Sequence, residues 1–331
     1  MRTILVFFLL AFFSIQFAFS QTRYQRIVVF GDSLSDVGTY AKTAGILRGG
    51  KFTTNPGKIW IEYVAQAMNL PMKPNRQEGL AYPTNIIGGS NYAQGGARIR
   101  LERGQTELEV EKLGITARPL YTQVQFFLQQ NKRFQPMDLV FVQGGANDVF
   151  AQLSDVRNQR ISADTAIHNI AVAANQMNEL ILTLRKYGAS NIVVLNLPYI
   201  QKTPLVLGQS SQMQALVEKL VMTFNAQLAT GARALGARYI DLSQFEMKIT
   251  KNYTQYGFKN ITQPACSLRF LPGNSALYCS PKNYVEQNAN RTYKYADLIH
   301  PTTGFSELIG KFIISELSSQ RVFSGRPLSR N

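Results

Sequence analysis

Ser33 stands in Gly31-Asp32-Ser33-Leu34-Ser35-Asp36, directly after the short apolar run Arg26-Ile27-Val28-Val29-Phe30. A serine hydroxyl is a poor nucleophile until a base takes its proton, and histidine is the usual base because its pKa lies near working pH. The chain has only two histidines. His168 falls inside an amphipathic stretch, beside its apolar stripe, where a structural or surface role is the ordinary one. His300 follows Asp297 by three residues and precedes Pro301. In a turn, that spacing lets the carboxylate bond the imidazole, fix its tautomer and stabilise the imidazolium. The plain alternative is that Asp297 caps a helix and His300 is a loop residue.

Attack on an acyl carbonyl builds negative charge on its oxygen, and preset N–H donors aimed there reduce the barrier. Gly96, in Asn91-Tyr92-Ala93-Gln94-Gly95-Gly96-Ala97, has no side chain to keep its amide from a ligand. Asn147, in Gly144-Gly145-Ala146-Asn147-Asp148, offers a side-chain amide, and Ser33 its own N–H. A tight turn at Gly95-Gly96 and an Asx-turn at Asn147 are the bland readings.

These residues are useful only if something brings them together. Buried strands are expected at 26–30, 138–142, 191–195 and 237–241, with a further strand region at 85–87 and 91–93. Between them, apolar residues at spacings of three and four predict helices at 59–68, 120–128, from the Ser162/Asp164 caps to Gly188, 211–234 and 302–317. Strands alternating with helices predict an α/β fold, a parallel sheet wrapped by helices on both faces. In such a sheet ligands bind outside the carboxyl ends of the strands. The four polar segments stand at or beyond those ends, so one rim would gather them. No linker or repeat divides the chain, which predicts one domain over residues 21–331. Residues 250–295 lack periodicity.

Composition narrows the classes. With 331 residues, 45% hydrophobic and 17% charged, the chain is neither disordered nor fibrous. The net charge of +15 suits anionic surfaces such as membranes, or polyanions. Met1-Arg2-Thr3, the apolar stretch 4–19 and Ala18-Phe19-Ser20 have the layout of a cleavable secretory signal over residues 1–20, which predicts a secreted or periplasmic protein with no later membrane span. In an oxidising compartment Cys266 and Cys279 are expected to pair, and closing so short a loop contributes on the order of 3 kcal/mol. Tyr253, Tyr256, Phe258, Phe270, Leu271 and Tyr278 of the stapled region are candidates for an apolar lid. No Walker loop, dinucleotide fingerprint or metal-ligand spacing occurs, so no cofactor and no metal are expected, nor a nucleic-acid partner.

Taken together, the segments around Ser33, Gly96, Asn147 and Asp297/His300 resemble the GDSL lipases and esterases, also called SGNH hydrolases, over nearly the whole chain after residue 20. The resemblance implies a flavodoxin-like three-layer α/β/α sandwich. It also implies Ser33 as nucleophile, Gly96 and Asn147 as oxyanion donors, His300 as base and Asp297 as its orienter. It is strongest to bacterial secreted lysophospholipases and lipid acyltransferases. The expectation is therefore an exported ester hydrolase acting on lipid or lysophospholipid at a membrane or micelle surface. The rivals are a carbohydrate acetylesterase and a catalytically idle polyanion-binding surface protein.

Overall fold

The computed structural model describes residues 24–45, 50–79, 82–101 and 117–319. The proposed signal at 1–20 lies outside them. In chain order the elements are β1 (Arg26–Phe30), α1 (Ala41–Gly45), α2 (Trp60–Ala67), β2 (Arg76–Gly79), β3 (Tyr82–Ile86), α3 (Leu120–Asn131), β4 (Asp138–Gln143), α4 (Ala146–Arg157) and α5 (Ala163–Lys186). There follow β5 (Asn191–Leu195), α6 (Pro204–Leu207), α7 (Ser211–Ala234), β6 (Arg238–Ile240), α8 (Leu242–Lys251), β7 (Asn260–Pro264), α9 (Ala289–Thr292), β8 (Tyr293–Tyr295) and α10 (Thr303–Ser319).

Four of the strands make a parallel sheet in the order β1-β4-β5-β6. Their sequences are nearly continuous apolar runs because helices cover both faces of such a sheet. Successive side chains point to opposite sides. Val28, Phe30, Val140, Val142, Ile192 and Val194 enter one core with α3, α4, α5 and α7. Ile27, Val29, Leu139, Phe141, Val193 and Leu195 enter the other with α2, α8 and α10. The result is an α/β/α sandwich. The long helices start where the sequence says: the Ser162 hydroxyl accepts from the Thr165 amide, and Ser210 does the same for Met213.

Two expectations need correction. The strand region at 85–93 does not become a full strand of the sheet. Asn85 and Ile86 belong to the separate antiparallel pair β2-β3, and Asn91 touches the free edge of β1 at a single parallel bridge with Val29. The polar run Gly88-Gly89-Ser90 interrupts the pairing, and the Asn91 side chain is spent on the Ser35 carbonyl and the Ala93 amide. Second, Asn147 and Asp148 are not in a loop but in the first turn of α4, entered through Gly145 at φ +104°. No side chain fits there: a Cβ on Gly145 would stand 2.5 Å from the Phe224 ring.

Candidate active site

β1 ends and the chain turns sharply at Gly31, whose amide donates to Gln123 Oε1 while its carbonyl accepts from Gln123 Nε2. The same carbonyl also accepts from the Gln94 amide. This clamp fixes the residue two before Ser33. A Cβ on Gly31 would stand 2.8 Å from the Gln143 carbonyl, which is why glycine is required at this close approach. Gln143, the last residue of β4, donates to Asp32 and accepts from the Ser35 hydroxyl. Burial pushes the Asp32 carboxyl up to about 6, against the Leu34 amide and Gln143, which favour its charged form.

Ser33 Oγ lies 2.8 Å from His300 Nε2, and His300 Nδ1 lies 2.7 Å from Asp297 Oδ2. The two partners of the first bond are 267 positions apart in the chain. Asp297 Oδ1 accepts from the amides of Ile299 and His300, and Oδ2 accepts from the Ala276 amide at 2.6 Å. Burial alone would raise the Asp297 carboxyl, but the His300 charge, its imidazole bond and these neighbouring amides outweigh burial and hold it below the ordinary value. It therefore stays ionised beside the ring. Phe52 covers the imidazole, with ring centres 5.0 Å apart.

Of the donors expected for an oxyanion, Asn147 lines the same cavity as Ser33, and Gly96 does not. Asn147 shares a cavity wall with Ser33 and His300, and one of its amide hydrogens is spent on the Ala97 carbonyl. The amide carries a second hydrogen. Of the two adjacent glycines, Gly95 has its N–H taken by Asp36 Oδ2 at 3.0 Å. Gly96, at φ +78°, has an amide with no hydrogen-bond partner among the described residues. The cavity is otherwise mostly apolar, walled by Leu34, Trp60, Phe150, Ile200, Leu242 and Phe305 among others. Glu246 also lines it and is paired with the buried ammonium of Lys294 at 3.2 Å. A hydroxyl backed by imidazole and carboxylate, with unspent N–H groups nearby and an apolar trough beside them, is equipped for acyl transfer.

The chain matches the GDSL-like lipase/acylhydrolase family over residues 27–313. It belongs to that family. Among curated relatives it is 23% identical over 339 residues to a GDSL esterase/lipase of Arabidopsis thaliana, with 90% of this chain and 91% of that protein covered. It is 29% identical over 235 residues to the phosphatidylcholine-sterol acyltransferase of Aeromonas hydrophila, covering 65% of this chain and 58% of that one. It is also 29% identical over 245 residues to the esterase EstA of Pseudomonas aeruginosa, covering 66% of this chain but only 35% of that protein. The family is one of carboxylic ester hydrolases.

In this GDSL-family protein His168 is exposed on α5, away from the cavity. The residues expected as a lid are elsewhere: none of Tyr253, Tyr256, Phe258, Phe270, Leu271 and Tyr278 lines the cavity. Leu271 and Tyr278 pack instead with Tyr40, Phe52 and the Cys266–Cys279 disulfide in a small cluster of their own, and Phe258 packs edge-on against Phe305. Reading of the sequence missed Gln123, Gln143, Asp36, Phe52 and Ala276. Gln143 carried a signal, a lone amide closing an otherwise apolar strand. Ala276 carried none, because its contribution is a backbone amide.

Proposed function

We propose that this protein is an exported serine ester hydrolase that cleaves fatty-acyl esters of phospholipids or lysophospholipids. One observation carries this function: the run of hydrogen bonds from Ser33 through His300 to Asp297, standing on the wall of an apolar cavity. Ser33 Oγ attacks the acyl carbonyl as its proton passes to His300 Nε2. Asp297 holds the ring and stabilises the imidazolium. The oxyanion is met by the amides of Ser33 and Gly96 and the side chain of Asn147. Collapse breaks the ester C–O bond, and the proton on His300 goes to the departing alcohol. Water then enters, gives a proton to His300 and releases the fatty acid, and Ser33 regains its hydrogen.

The long-chain substrate is favoured over an acetyl group by the extent of aromatic and aliphatic cavity wall, and a lipid surface by the net charge of +15. Export is supported by the signal-like layout of residues 1–20. The similarity to a sterol acyltransferase favours a second outcome, in which a sterol hydroxyl takes the place of water. The test is purified protein on lysophosphatidylcholine, phosphatidylcholine and acetylated xylan, with and without cholesterol. Release of fatty acid from the lipids is expected. Faster turnover of acetyl esters would replace the lipid substrate with a carbohydrate one.

A further inference from the structure

We infer that the turn stapled by Cys266–Cys279 is a positioning element for Asp297, acting through the Ala276 amide; this rests on the proposed catalytic role of Asp297. The carboxylate oxygen that bonds the imidazole is the same oxygen that accepts from Ala276, at 2.7 Å and 2.6 Å respectively. Oδ1 is held by the amides of its own turn, at Ile299 and His300. Among the described residues Ala276 is thus the one donor from outside that turn, and it bears on the oxygen that bonds the imidazole. Its position is set from both sides. The Asn55 side-chain amide donates to the Ala276 carbonyl at 3.1 Å, the Gly50 amide to Leu277 and the Asn55 amide to Cys279. The disulfide ties the end of the turn back to Cys266, whose amide donates to the Ala296 carbonyl, one residue before Asp297. A buried carboxylate with two donors on one oxygen loses rotational freedom that a single bond would leave it. The stapled region thus lies behind the reacting groups and stiffens the acid.

Ala276→Pro deletes the N–H and sets its ring Cδ where that hydrogen now meets Asp297 Oδ2, so the carboxylate loses the donor and must also shift. Ala276 opens a short 3₁₀ turn, a position proline tolerates, and Ser275 before it is extended at ψ 133°, as a residue preceding proline must be. With a short-chain p-nitrophenyl ester, kcat is expected to fall by about 10-fold to 100-fold with KM little changed. The acid limb of the kcat/KM profile is expected to move to lower pH, since a carboxylate held less squarely stabilises the imidazolium less. Ala276→Gly, which keeps the N–H, is expected to retain the wild-type rate and limb. If Ala276→Pro does not fold, Cys266→Ser/Cys279→Ser is the second variant, with the same direction expected in kcat and limb. An unmoved or raised limb with kcat unchanged overturns the inference. Ser33→Ala assayed in parallel separates the two levels. Full activity in Ser33→Ala removes the proposed function and this inference with it. Loss in Ser33→Ala beside a normal Ala276→Pro removes the inference alone.

Discussion

The two sides of the site are built in different ways. Ser33 follows the end of a central strand, and what fixes it is near at hand: Gln123 on Gly31, Gln143 on Asp32 and Ser35, each from an element packed on or paired with β1. Asp297 and His300 sit in irregular chain between β8 and α10, outside the sheet. What fixes them is other irregular chain: residues 52–57, whose Thr53 hydroxyl donates to the Pro301 carbonyl, and the stapled turn. The proposed nucleophile, whose position follows from the fold, is thereby paired with a proposed base whose position must be assembled from loops. Precision at the second needs dedicated hydrogen bonds, and the structure spends several on it.

The largest effect that probes this contrast is Ser33→Ala. Hydrolysis should fall by about 10³-fold or more, the surviving oxyanion donors leaving only a residual rate, while the melting temperature stays close to wild type. Asp297→Asn comes next. Its loss in kcat should be about 10-fold to 100-fold smaller than that of Ser33→Ala, because orientation is lost and the nucleophile is not. Parity of the two would mean that the base side contributes more than orientation. On the serine side, Gln123→Ala orphans the buried Gly31 amide, while the Gly31 carbonyl keeps the Gln94 amide, and should cost on the order of 2–3 kcal/mol in urea unfolding. A stability loss near zero would show that the strand alone sets the turn.

An effect of similar size is read by pH. Asp32 titrates at about 6 when folded against 3.8 for an ordinary side chain, the shift arising from burial. A raised carboxyl favours the protonated fold, so wild-type stability falls as pH rises through that interval and the penalty is fully present above it. Asp32→Asn escapes the penalty, since Gln143 can turn its amide to match. Its melting temperature relative to wild type should rise between pH 4 and 7, by the equivalent of on the order of 2–3 kcal/mol. A flat difference across that range would contradict the buried, proton-retaining carboxyl.

Most of the frame was legible because burial writes itself into composition. β4 and β5 had to read as apolar runs, and α5 as a stripe with a serine before it. The residues the structure brings together, Ser33, Asn147, Asp297 and His300, were legible for a related reason: they are side-chain chemistry, and rare types such as histidine leave few choices. The supports were not. Asn91 reads as a strand residue, yet its side chain is diverted to the Ser35 carbonyl and the Ala93 amide. The aromatics of the stapled region read as a lid because sequence reports apolarity without direction: Leu271 and Tyr278 turn inward to Tyr40 and Phe52, Phe258 joins the core under α10, and Phe270 is exposed. An amide such as that of Ala276 has no letter of its own in any sequence.

The bond between Ser33 and His300 spans 267 positions, which orders events during synthesis. A ribosome delivers the serine 267 residues before the imidazole, so a chain interrupted between them carries the hydroxyl without its partner. Under the proposed function, hydrolysis begins only once both members of that pair have been made, and interrupted copies stay idle.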